Sequence, residues 1–127
     1  MKMPRVLGLV LCKRLEVDPT RAELSLTGLL HMLRCPSWPT PPQHFTAYTA
    51  LHGGEGEGTM ELVITEMATE RDIFRRRWWF RVPDRDVTVH LEVPVRGCVF
   101  PAAGRYGVTL RFDGTELTRR HLDLQDR

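Results

Sequence analysis

The chain has 127 residues, enough for one domain and too few for two ordinary ones. Hydrophobic residues make up 42% and charged residues 27%, a globular composition that excludes a disordered chain. Near either end, the longest apolar run falls far short of the roughly 20 residues that a membrane-spanning helix needs. With 18 basic and 16 acidic side chains the net charge is only +2, so bulk charge does not point to nucleic acid.

The opening residues set Lys2 and Arg5 before a short apolar run, Val6 to Cys12, followed at once by Lys13 and Arg14. This imitates a secretory leader, yet the run is at the short limit and no small-residue cleavage site follows. A bulky Leu11 before Cys12 argues equally against a lipoprotein signal. The stretch reads as a first strand.

Asp18-Pro19-Thr20 marks the first turn. Ala22, Leu24, Leu26, Leu30 and Met32 then share one parity, against Glu23, Ser25, Thr27 and His31. Alternation with period two sets one face on a core and the other in water, which predicts a second strand here. Four prolines follow at Pro36, Pro39, Pro41 and Pro42. Proline fixes φ and removes ladder donors, so this stretch is extended and outside any sheet. A stiff connection suits a crossover between two sheets, with Trp38 packed over an open end of the core. The lesser alternative is a Pro-rich ligand for a peptide-binding domain.

Phe45, Ala47, Thr49 and Leu51 form a third alternating series, and a glycine-rich stretch from Gly53 to Gly58 separates it from Met60, Leu62 and Ile64. Residues 72–82 read as the next strand. Pro83-Asp84-Arg85-Asp86 is a turn before the clearest series, Val87, Val89, Leu91, Val93 and Val95. Pro101 to Gly104 leads into Tyr106, Val108, Leu110 and Phe112, and Asp113-Gly114 is a short-range hairpin signal before Leu117. Helix signals are nearly absent. Seven or eight short strands predict an all-β, two-layer antiparallel sandwich, immunoglobulin-like or jelly-roll-like, as a single domain over residues 1–127.

The layout as a whole carries a resemblance. A strand holding Cys12, the series Leu24-Ser25-Leu26-Thr27-Gly28-Leu29, a proline-containing crossover and an acidic glycine loop with Glu57-Gly58 come in that order. Phe100-Pro101-Ala102-Ala103-Gly104-Arg105-Tyr106 and a strand reaching Phe112-Asp113-Gly114 close the pattern. In this the chain is similar to a family of short bacterial proteins of unknown function. The resemblance implies a compact β-sandwich and supplies no catalytic or binding residues.

Signatures of chemistry are sparse. The five histidines form no His-x-His or His-x-x-x-His pair, and no Gly-x-Ser-x-Gly elbow occurs. Cys12, Cys35 and Cys98 form no Cys-x-x-Cys motif and read as small buried hydrophobes in a reducing, cytoplasmic compartment. The expectation is a non-enzymatic protein without metal or cofactor.

The most informative stretch is Asp72 to Val82. As a strand it sets Phe74, Arg76, Trp78, Phe80 and Val82 on one face, with Arg76 the anomaly that must reach an edge or a carboxylate. The other face carries Ile73, Arg75, Arg77, Trp79 and Arg81. Arg and Trp together are enriched at protein contacts, so Arg75, Arg77, Trp79 and Arg81 are the candidate partner-binding residues. The competing structural role is ion pairing across strands, for which parity nominates Glu61, Glu92 and Glu116.

The favoured function is therefore a small binding or adaptor module whose partner is another protein. Homodimerisation through the arginine strand is a further option, and nucleic acid is disfavoured. An alternative class is a loop-based module for carbohydrate or calcium-dependent membrane contact. It would use Glu55, Glu57, Asp84, Asp86 and Asp113 if their loops meet at one end.

Overall fold

The alternating series become nine strands in a computed structural model, which describes residues 3–82 and 86–127. In chain order they are β1 (Arg5–Asp18), β2 (Glu23–Leu29), β3 (Met32–Cys35), β4 (Gln43–His52), β5 (Gly56–Glu66), β6 (Arg71–Val82), β7 (Thr88–Cys98), β8 (Gly104–Phe112) and β9 (Thr115–Asp126). No helix occurs among the described residues. The strands form two sheets packed as a sandwich. One has four strands in the order β2-β1-β4-β7, the other five in the order β3-β9-β8-β5-β6.

The core lies between the sheets and is built from the predicted parities of β4, β5, β7 and β8, whereas Ala22, Leu24 and Leu26 stay outside it and Val87 is exposed just before β7. Phe45, Ala47 and Leu51 of β4 and Leu91, Val93 and Val95 of β7 face Met60, Leu62 and Ile64 of β5. Tyr106, Val108, Leu110 and Phe112 of β8, with Leu122 and Leu124 of β9, complete the opposite wall. Burying such side chains stabilises the fold by about 1.5–3 kcal/mol each.

The strand count exceeds the sequence expectation for a local reason. The series Leu24 to Met32 is two strands in different sheets, because Gly28 has a φ of 71° and breaks the parity. Leu30, just beyond, turns into the core and donates its backbone N–H to Leu11 O at 2.8 Å. β3 then pairs with β9 in parallel, the one departure from an antiparallel design among the described strands.

The proline stretch is the crossover from β3 in the five-stranded sheet to β4 in the four-stranded one. Trp38 packs against the core there, and its Nε1–H donates to Asp126 Oδ1 at 2.6 Å. The Trp38–Pro39 peptide is cis. At the far end, Asp113 and Gly114 both take positive φ, 49° and 81°, as a tight hairpin between β8 and β9 requires.

Candidate functional site

β6 is an outer strand of the five-stranded sheet and pairs with β5 along its whole length. Its register sets Trp79 opposite Thr59, Arg77 opposite Glu61 and Arg75 opposite Val63, all on the face turned away from the core. Arg81 lies opposite Glu57 on the same side. The four candidate residues therefore share one surface, as the alternation predicts. Ile73 does not share it. The pairing shifts between Ile64 and Thr65, so Ile73 is displaced by a bulge and packs against the core.

Glu61 organises the centre of this face. Arg77 Nε bonds its Oε2, Arg75 Nε lies 3.5 Å from the same oxygen, and Arg111 Nη1 lies 3.3 Å from Oε1. The bond from Arg77 holds the Glu61 carboxyl below its ordinary range. Burial opposes this, while the charges of Arg77 and Arg75 and the bond from Arg111 reinforce it. Arg75 also reaches Asp72 Oδ2 at 2.7 Å, and Thr65 donates to Asp72 Oδ1 at 2.8 Å. The result is one network across three strands.

Parity identified Glu61 correctly as a partner. The other two nominees differ: Glu116 pairs with Arg119 at 3.3 Å, and Glu92 belongs to β7 in the opposite sheet. Arg111 was not anticipated, because its place beside Glu61 follows from the pairing of β8 with β5 and not from local pattern.

Trp79 and Arg81 behave otherwise. Trp79 is 65% exposed, and its indole N–H has no hydrogen-bond acceptor among the described residues. Arg81 is exposed and makes no ion pair among the described residues. Arg76, on the inner parity, leans out of the sandwich and donates from Nη1 to Pro94 O of β7 at 2.9 Å. The anomaly is thus resolved at an edge. The arrangement presents guanidinium groups and one large aromatic on a flat surface, a chemistry suited to carboxylates and to contact with a broad partner.

Of the acidic loop residues, Glu57 and Asp113 border one end of this face, Glu57 opposite Arg81 and Asp113 beside Gly58 and Thr59. Glu55 precedes β5, Glu57 is at its start, and Asp86 comes just before β7. Asp113 occupies the β8–β9 turn, where its Oδ1 accepts the Thr59 N–H at 2.7 Å. Asp84 is outside the described residues. Among the described residues, no group of three or more His, Cys, Asp or Glu side chains could hold a metal ion.

A second concavity went unforeseen. Leu15, Val17 and Leu24 of the β1–β2 hairpin line a cleft of about 350 Å³ with Tyr48, His90, Leu91 and Glu92. The Tyr48 hydroxyl and His90 Nδ1 share a hydrogen bond of 2.5 Å, and their rings stack with centroids 6.0 Å apart. No signal short of the β4–β7 register could have joined these residues. All three cysteines are free and buried, and burial raises each thiol, that of Cys98 to about 12. Thiolate is therefore scarce at neutral pH.

A family of unknown function, DUF6941, matches residues 7–125, nearly the whole sandwich. The chain belongs to this family. No curated protein matches it. Membership in DUF6941 assigns no activity to the arginine–tryptophan face.

Proposed function

We propose that this protein is a small, non-enzymatic binding module that contacts another protein through the outer face of its five-stranded sheet. The observation that carries this reading is Trp79, 65% exposed between Arg77 and Arg81. A large aromatic left in water gains nothing for the isolated fold, whereas Trp and Arg dominate the energetics of protein contacts. Arg75 and Arg77, held on Glu61 and backed by Arg111, are pre-organised for a second carboxylate, because their side chains are already ordered. Three free, buried thiols support a reducing compartment, the cytoplasm.

Affinity capture from the native host tests the reading. Wild-type bait is expected to retain a protein that the Trp79→Ala/Arg77→Ala bait loses. Trp79→Ala alone, which breaks no side-chain hydrogen bond among the described residues, serves as the control for folding. Recovery of the same set by all three baits would refute the contact face.

A further inference from the structure

β6 offers more than a face. Among the described residues, no backbone group bonds it on the side away from β5, so a row of N–H and C=O groups stands open there. Its core-facing residues are not fully covered either: Phe74, Trp78 and Phe80 are only partly buried. A cleft of about 280 Å³ runs between β6 and β7, lined by Arg76, Trp78, Leu91, Glu92 and Val93. Another, of about 380 Å³, lies at the bulge against Asp72, Ile73, Phe74 and Arg75.

Charge completes the picture. The strand carries Arg71, Arg75, Arg76, Arg77 and Arg81 against the single acid Asp72. Arg75 and Arg77 share Glu61 with Arg111, and Arg71, Arg76 and Arg81 make no ion pair among the described residues. The open edge thus carries a net positive charge, tempered by Glu57 opposite Arg81 and by Glu92, which lines the cleft with Arg76.

We propose that an extended acidic segment of the partner, alternating carboxylates with apolar residues, adds to β6 as a further strand. This rests on the protein-contact reading above and specifies the chemistry of the partner. Side chains of an added strand alternate with period two. Every second residue then stands beside Arg75, Arg77, Trp79 and Arg81, and the residues between them reach Phe74, Trp78, Phe80 and the clefts. Main-chain bonds supply affinity in such additions, and the alternate pockets supply selectivity.

A second copy of this chain paired two-fold through the middle of β6 fits poorly. Two-fold antiparallel pairing of β6 centred on Arg75-Arg76-Arg77 sets arginine opposite arginine, which is destabilising. A single-stranded nucleic acid would use the guanidinium groups but neither the open backbone edge nor the partly buried rings of Phe74, Trp78 and Phe80.

The probe is a capped peptide of alternating Glu and Val, as long as β6 and labelled for fluorescence anisotropy. It is expected to bind the full chain and to slow amide exchange in β6. A Lys–Val peptide of the same length should not bind. N-methylation of alternate Glu–Val peptide bonds on the edge-facing side should abolish binding. Arg81→Glu, which breaks no ion pair among the described residues, should weaken it about tenfold or more. Arg77→Glu, checked for folding by circular dichroism, should do the same.

Failure of the Glu–Val peptide to bind, equal binding of Lys–Val, or protection appearing away from β6 would each overturn strand addition. So would tighter binding of an oligothymidylate, or sedimentation showing a dimer that Arg81→Glu strengthens. If the peptide fails while the Trp79 and Arg77 substitutions still abolish partner capture, strand addition falls and the contact face stands. If both fail, both fall.

Discussion

Trp78 and Trp79 are neighbours in the chain and opposites in surroundings: the first packs against the core over Met60's strand, the second is 65% exposed beside Arg77. Substitution should therefore separate stability from contact. Trp78→Ala is expected to cost about 2–4 kcal/mol through lost packing. Trp79→Ala should change stability by no more than about 0.5 kcal/mol. Urea unfolding of the two variants checks this, and comparable losses would mean that Trp79 is a structural residue.

Glu61 should make stability acid-sensitive. Its carboxyl titrates below the ordinary value in the folded state, so its contribution is fully present above about pH 4.3 and fades as pH falls through the folded value. Glu61→Gln removes the charge that three guanidinium groups surround. It is expected to lower stability by about 1–2 kcal/mol at neutral pH, the arginines being partly solvated. The difference between variant and wild type should shrink toward low pH, as read from thermal unfolding across pH.

At the alkaline end the controlling groups are buried. Burial is the largest cause that pushes Tyr106 up to about 12, and the nearby Glu66 adds to it, while the Ala102 N–H, which donates to the phenol oxygen, opposes it. Cys98 is likewise raised from 9.0 to about 12. Both groups keep their protons longer when folded than when unfolded. Stability is therefore intact below pH 9 and lost as pH rises from the unfolded values toward about 12. Tyr106→Phe retains the edge-on contact with Phe100 but loses the O–H bond to Ala102 O, 2.7 Å in length. It should cost about 1–3 kcal/mol at neutral pH and reduce the alkaline loss, leaving the part due to the three buried thiols and Tyr48. An unchanged alkaline limb would assign that loss to other groups.

Gly58 is tied to Asp113 by space. A Cβ at position 58 would collide with the Asp113 carboxylate, which accepts the Thr59 N–H while the Asp113 N–H donates to Thr59 O at 2.8 Å. Gly58→Ala is thus expected to destabilise by about 1–3 kcal/mol. In an Asp113→Gly background the extra cost should largely vanish. A double-mutant cycle measures that coupling, and simple additivity would contradict it.

The architecture was legible wherever alternation was uninterrupted. Val89 to Val95, Tyr106 to Phe112 and the Asp113-Gly114 turn emerge as their residue types dictate. Pattern failed where the backbone departs from period two. At Gly28 it hid the division of β2 from β3, and at the bulge it misplaced Ile73. Of the candidate site, Arg75, Arg77, Trp79 and Arg81 could be read from one strand, because a strand's faces are local. Arg111 beside Glu61, and Tyr48 against His90, depend on which strands become neighbours. That is decided by packing of the whole core, and no local run of residues records it.

The position of β9 bears on how the protein folds. It lies between β3 and β8, touching the former in parallel and the latter as a hairpin. Until residues 115–126 dock, β3 has no neighbour in its sheet and β8 has an uncovered side. Those bare edges belong to the segments around Leu33 and Tyr106, and they invite pairing with other chains. The five-stranded sheet closes only when β9 docks, so any folding intermediate that lacks it carries two unpaired edges.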